Sequence, residues 1–459
     1  MKRVLKKLII SLLSGIASLS AYGWTRINPA NPLAPHFRYG HGSCYLPAQN
    51  ALFIFGGVYM QDPTYISLGD AWLFYLDSLV WREIDSSGPS PRNFPAVCYL
   101  DSLERVFVFG GLEGCNSGSP YNDTWLWDPQ TMAWESLQVD RKPRPRNSPA
   151  CAYDPIRNRV LIFGGWSPPQ GRSEPFLECP WNFYASAHAQ VPFDTSEFLE
   201  DLWVFYPDSN KWDSIPKTGP WPHRRATGSF VYDPYAGRLL LFGGCYLDWG
   251  GDIRGLRDAW ALDLATLAWD SLETAGFVPE RFDHSAVFDL PRNRMMVYGG
   301  LEPRDTVYAL DMGNLSWYRL NTPPPTPGEY RIAPLVPDTG FIRAYLFSGF
   351  NSNDLWALDL STPGVSEKYG EPAGLLLLVS PNPAKGPVKI RFAVPDGKPC
   401  SLRLYDAAGR MVGVIQEGPG REGPRPTGEI HWEPDLRPGV YFLRLEAGGR
   451  SLTEKMVAW

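Results

Sequence analysis

Several classes of protein are excluded by what this sequence lacks. Helix-favouring runs are scarce, so a helical bundle is excluded. Lys and Arg together number 43 against 49 Asp and Glu, a net charge of −6. No basic surface is therefore on offer, and nucleic acid is not a partner. Histidine is rare, at six residues, and no Cys or His pairs stand at zinc-ligand spacing. The phosphate loop, the HExxH helix and the serine elbow of hydrolases are all missing, so neither a cofactor nor a metal is implied. Seven cysteines is an odd number, which leaves at least one unpaired within the chain. Cys44, Cys98 and Cys151 lie in apolar strand-like runs and read as core residues. Cys115, Cys179 and Cys245 read as loop residues among which one disulfide can form.

Long apolar runs are also missing, apart from one at the start. Residues 1–23 place Lys and Arg first, then an apolar run from Leu8 to Ala21, then small residues. That is the layout of a cleaved signal peptide, and the run is short for a membrane span. No transmembrane span is expected once the signal is removed.

What the chain does have is Gly (44), Pro (45) and aromatic residues in abundance, arranged in repeats. YLPAQNALFIFGG (45–57) returns as YLDSLERVFVFGG (99–111), YDPIRNRVLIFGG (153–165), YDPYAGRLLLFGG (232–244) and FDLPRNRMMVYGG (288–300), with PDTGFIRAYLFSG (337–349) as a sixth copy. Each copy follows an Arg: Arg38, Arg92, Arg146, Arg225, Arg281 and Arg331. The first five stand 18 residues before the first glycine, the sixth 17 before Ser348. An Asp and an aromatic residue follow, as in Asp70/Trp72 and Asp123/Trp125, and a second Trp closes five units. An apolar strand that turns at a polar tip and returns to Gly-Gly, with two more strands bearing Trp, makes a four-stranded antiparallel sheet. Such a sheet buries both faces only by stacking on its neighbours around an axis.

This pattern, over residues 24–363, resembles the kelch repeat. The resemblance implies an all-β fold built on a six-bladed β-propeller. The sixth unit lacks its closing Trp strand, and Trp24-Thr25-Arg26-Ile27 matches the missing piece, as in WREI (81–84) and WDSL (269–272). The N-terminal strand is therefore expected to close the last blade, removing two open sheet edges. A polar linker, 364–373, leads to residues 374–459, where seven short strand-like runs suggest a small Ig-like β-sandwich. Ser380-Pro381-Asn382-Pro383, the run from Leu404 to Arg410, Leu436-Arg437-Pro438-Gly439 and the closing Lys455-Met456-Val457 give this tail a resemblance to the C-terminal sorting domain of type IX secretion cargo. That resemblance implies the secretion machinery as a partner and a secreted or outer-membrane-surface location.

Propellers carry activity on loops held by a rigid ring. The longest loop follows Gly165 and contains Trp166, Trp181 and Tyr184; Tyr59, Tyr65, Tyr121, Tyr246 and Trp249 stand on neighbouring loops. Exposed aromatics beside Asp and Asn suit a glycan or a protein ligand, or else they pack the loops down. The six arginines have two readings. As in some kelch adaptor proteins they bind an acidic ligand, or they serve the repeat's own scaffold through backbone carbonyls and an Asp. His41 and His284, three residues after a repeat Arg, read as part of the repeat. The candidate ligand-binding set is thus Arg38, Arg92, Arg146, Arg225, Arg281, Arg331, Trp166, Trp181, Tyr184 and Trp249, with no catalytic residue. The function expected is ligand binding on the loop-rich face; the alternative is a sugar-processing enzyme resembling the sialate epimerases or the oxidases among kelch propellers.

Overall fold

Each repeat folds as a short antiparallel sheet because its apolar runs are brief, rich in β-branched and aromatic residues, and bounded by turn residues. The computed structural model describes residues 23–360 and 376–458, except 62–63, 85–86, 115–118, 168–196, 249–251, 301–305, 323, 329–332, 339–341, 350–351, 381–387, 394–398, 407–408, 420–426, 433–435 and 448–449. From the innermost strand outwards, blade one is Gly42–Leu46, Ala51–Phe55, Ala71–Tyr75 and Val80–Ile84. Blade two is Ala96–Leu100, Arg105–Phe109, Thr124–Asp128 and Ala133–Leu137. Blade three runs Ala150–Asp154, Arg159–Phe163, Leu202–Tyr206 and Lys211–Ile215, and blade four Ser229–Asp233, Arg238–Phe242, Ala259–Asp263 and Trp269–Leu272. Blade five is His284–Asp289, Arg294–Gly299, Val307–Asp311 and Ser316–Arg319, with the short Ala275–Gly276 added in parallel outside.

The sixth sheet contains Leu335–Pro337, Arg343–Gly349 and Ser352–Asp359, and its outermost strand is Trp24–Ile27. Thr25 pairs antiparallel with Ala357 and Arg26 with Trp356, and Arg26 also donates to the Asp354 carboxylate. The innermost strands lie side by side in blade order, and that of blade six meets that of blade one. The chain's first described strand thus completes the sheet formed by its last repeat.

Aromatic packing repeats this closure. The Trp of each outermost strand lies against an aromatic ring on the second strand of the preceding blade. Ring centroids are 5.2 Å apart for Trp134 and Phe55, 4.8 Å for Trp212 and Phe109, 5.1 Å for Trp269 and Phe163, and 4.6 Å for Trp317 and Phe242. Trp81 meets Phe347 of blade six at 4.9 Å, and Trp24 meets Tyr298 of blade five at 4.8 Å. The circuit is complete only with Trp24 in the sixth position.

The Gly-Gly pairs latch neighbouring blades. Gly57, Gly111, Gly165 and Gly244 each donate a backbone N–H to the carbonyl of the next blade's Arg, at 2.7–2.9 Å. The glycine before each lies so close to that carbonyl that a side chain has no room. At Gly110 (φ 66°) a Cβ would stand 2.7 Å from the Arg146 oxygen, so a side chain there forces the two blades apart.

The C-terminal domain has two sheets. Leu376–Ser380, Val388–Ala393 and Thr427–Trp432 form one; Met411–Pro419, Pro399–Asp406, Gly439–Ala447 and Arg450–Ala458 form the other, in that order. Their apolar sides share a core that includes Ile390, Leu402, Leu404, Leu443 and Met456. Among the described residues, no helix is long and apolar enough to cross a membrane.

Candidate functional site

The repeat arginines, the Gly-Gly pairs and the loops between second and third strands all fall on one face of the ring. The strand directions require it, since the innermost and third strands start there and the second and outermost strands end there. On this face each of the five described arginines is engaged by its own blade. Arg38 is fully buried and donates two bonds to the Asp70 carboxylate (2.6 and 2.7 Å), one to the Gly56 carbonyl and one to the His36 carbonyl. Arg92 does the same with Asp123, Gly110 and Ser90; Arg146 with Asp201, Gly164 and Arg144; Arg225 with Asp258, Gly243 and His223. The 18-residue interval in the sequence is this Arg-to-Gly bond.

Bidentate pairing in a buried setting leaves the guanidinium no geometry for a ligand. Arg38, Arg92, Arg146 and Arg225 are therefore scaffold rather than ligand groups, which corrects the first of the two expectations. Arg281 is also fully buried, donates to the Gly299 carbonyl and lies 4.7 Å from the Tyr308 ring centroid. Arg331 lies outside the described residues.

The carboxylates are what this scaffold presents. Asp70, Asp123, Asp201 and Asp258 are partly exposed, at 22–37% of the side chain, while their arginines are buried. Burial works to raise their pKa values, but hydrogen bonds and charge from the arginine outweigh it, helped by the indole N–H of the following Trp. All four carboxyls are held below the usual range and stay ionised.

Trp166 is a second correction. It is 3% exposed and its strand Trp166–Ser167 pairs with Glu197–Phe198. Its side chain packs with Phe198, Ala226, Cys245 and Phe282. Directly after Gly-Gly, it occupies the same buried position as Val58, Leu112 and Cys245, so it belongs to the latch and not to the ligand surface. Trp181, Tyr184 and Trp249 lie outside the described residues, as do Cys115 and Cys179. Cys245, expected in a loop, is a buried strand residue without a disulfide.

Two rim features went unremarked in the sequence. On blade one His36 is exposed and its ring lies tilted against Tyr59, centroids 4.0 Å apart, on the hairpin Val58–Gln61/Thr64–Ser67. On blade four His223 is exposed and lies 4.5 Å from Tyr246 on the hairpin Cys245–Leu247/Ile253–Gly255. Blades one and four are opposite in a ring of six sheets, so the two His–Tyr platforms face each other across the rim.

Between them, on the axis, is a cavity of about 230 Å³ lined by the segments leading into all six innermost strands. Among its lining residues, Phe94, Ser148, Thr227 and Asp283 occupy equivalent positions with left-handed backbones, φ 51–59°. Phe94 N–H donates to the Gly40 carbonyl, Ser148 N–H to that of Phe94 and Thr227 N–H to that of Ser148, a chain of bonds around the mouth. His41 and His284 also line it; burial, reinforced by Arg38 and Arg281 respectively, lowers both pKa values to about 3. Burial pushes the Asp283 carboxyl up to about 8.

Comparison with known proteins follows these features. Residues 16–244 match the family model described as the KLHDC2/KLHL20/DRC7 Kelch-repeats domain, and residues 378–458 match the secretion system C-terminal sorting domain. The chain is 27% identical over 388 residues to the dynein alpha chain of the flagellar outer arm of Chlamydomonas reinhardtii, covering 77% of this chain and 7% of that one. It is 26% identical over 263 residues to the host cell factor homolog hcf-1 of Caenorhabditis elegans, covering 52% and 31%. It is 24% identical over 307 residues to the N-(sulfonatooxy)prop-2-enimidothioate sulfolyase of Thlaspi arvense, covering 56% of this chain and 85% of that one. The chain thus spans less than a third of the length of the first two.

Proposed function

Since the chain carries kelch repeats and ends in a secretion-system C-terminal sorting domain, we propose that it is an exported binding protein that recognises a glycan on the loop-rich face of its propeller. The sorting domain directs export, so the protein is secreted or displayed at the cell surface, and the secretion machinery is its second partner. The observation that carries the ligand reading is the composition of one face. Ionised, partly exposed carboxylates stand around the axis, and two aromatic platforms, His36–Tyr59 and His223–Tyr246, flank them. Carboxylates accept hydrogen bonds from sugar hydroxyls, and aromatic rings receive the apolar face of a sugar. The buried Arg–Asp pairs hold the carboxylates in place, which lowers the ordering cost of binding.

The test is a glycan array probed with the mature chain and with a Tyr59→Ala/Tyr246→Ala variant whose thermal midpoint matches wild type. Glycan binding by the wild type that the variant loses supports the reading. Binding that the variant retains overturns the assignment of this face, and an array without a single bound glycan overturns the ligand class.

A further inference from the structure

Cys98 and Cys151 lie on the innermost strands of blades two and three, Ala96–Leu100 and Ala150–Asp154. They stand six residues after Arg92 and five after Arg146, and the repeat gives those two positions a fixed meaning. Successive side chains of a strand point to opposite faces of its sheet. The residue six after a repeat Arg faces the next blade, and the residue five after it faces the preceding one. The cores between blades show this. Cys44 shares a core with Val97, Ala152 with Phe230, and Val231 with Ala286. Between blades two and three the matching pair is Cys98 and Cys151, again within one core.

The two side chains do more than share that core. The Cys98 thiol is hydrogen-bonded with the Cys151 thiol, and both are free and only part-buried. The sulfurs have only to close from this contact to the ~2.0 Å of a disulfide bond. Cys44 does not compete for Cys98. It packs with Val97, which points to the other face of the blade-two strand.

The compartment decides what such a pair becomes. Adjacent thiols stay reduced in a cytoplasm and are oxidised outside it. The C-terminal sorting domain marks this chain for export.

We propose that Cys98 and Cys151 form a disulfide that staples blade two to blade three beside the propeller axis once the chain has been exported. The oxidant is a second disulfide, carried by a thiol–disulfide oxidoreductase or a small molecule. One cysteine thiolate attacks it to give a mixed disulfide, and the other thiolate then displaces the carrier. Two S–H bonds are lost and one S–S bond forms. The two electrons and two protons leave with the carrier, whose own S–S bond becomes two thiols. Burial and the neighbouring thiol push the Cys98 pKa up, so the folded ring holds little thiolate. Oxidation therefore belongs to the stage at which blade three docks on blade two. This inference rests on export and not on the glycan reading of the face.

Trypsin places each cysteine in a peptide that holds no other, residues 93–105 and 147–157. The full chain is produced in a bacterial periplasm, alkylated with N-ethylmaleimide in denaturant without reductant, digested and read by mass spectrometry. The expected result is one species joining the two peptides, two hydrogens lighter than their sum and parted by dithiothreitol. Both peptides carrying maleimide, or either one linked to a different cysteine, overturns the proposal. Thermal melting gives a second reading. Cys98→Ser should lower the midpoint by about 4–8 °C more in oxidised protein than in protein kept in reductant, because only the former loses a cross-link. An equal loss in both conditions means that the thiols only pack, and overturns the staple. The peptide map needs no variant and no ligand, so a glycan array without binding leaves its result standing.

Discussion

Replacing Trp24 by Ala tests whether the N-terminal strand closes the ring. Trp24 is 3% exposed and packs on Tyr298 of blade five, and with Met296, Val307, Leu346 and Leu358 in one core. Truncating a buried Trp costs about 3–5 kcal/mol, through lost burial and the cavity left behind. The aromatic pair with Tyr298 contributes ~1 kcal/mol of that. At roughly 2 °C per kcal/mol for a domain of this size, the thermal midpoint should fall by about 6–10 °C. Trp81→Ala, in the matching position of blade one, should fall by a similar amount. Ile156→Ala, at a turn where the side chain is 72% exposed, should change by less than about 1 °C. The assay is calorimetry or near-ultraviolet circular dichroism during heating, with all three variants treated alike. A Trp24→Ala midpoint no lower than that of Ile156→Ala would refute closure by this strand.

Two further perturbations probe the face. Arg92→Lys keeps the charge but loses the paired bonds to Asp123 and the reach to the Gly110 and Ser90 carbonyls. It should destabilise by about 3 kcal/mol in urea denaturation, whereas an arginine kept only for a ligand would leave stability unchanged. Asp283 gives a pH signature: its carboxyl ionises near pH 4 in the unfolded chain and near 8 when folded. Between those values the folded state holds the extra proton, so wild-type stability should fall as pH rises from about 4 to 8, by up to ~5 kcal/mol, and then level off. Asp101, which burial raises to about 6, keeps a decline between about pH 4 and 6 in both proteins, so the wild-type minus Asp283→Asn difference in urea stability should shrink as pH rises to 8; a difference that does not change with pH would contradict the buried neutral carboxyl.

The repeat was legible because equal spacing of Arg, Gly-Gly, Asp and Trp reflects equal bonding within every blade. Trp24 could be placed from a tetrapeptide for the same reason, since its partners recur five times. The arginines' role was less legible. Spacing shows that Arg and Gly meet, but not whether the guanidinium has capacity left for a ligand; only burial and the paired Asp settle that. The same regularity held the clue, because groups bonded identically in each blade serve the ring. Asp283 departs from the repeat, aligned as it is with Gly40, Phe94, Ser148 and Thr227, and a sequence cannot show that burial keeps it neutral. Trp166 misled for the opposite reason. It begins the longest loop, yet its place directly after Gly-Gly makes it a latch residue.

The most direct test of the account as a whole is hydroxyl-radical footprinting of the protein with and without a glycan captured on the array. Protection should gather at Tyr59, Tyr121 and Tyr246 and leave Tyr153 and Ile156, at the opposite end of the ring, as reactive as before. Protection of Tyr153 and Ile156 with Tyr59 and Tyr246 unchanged would contradict it.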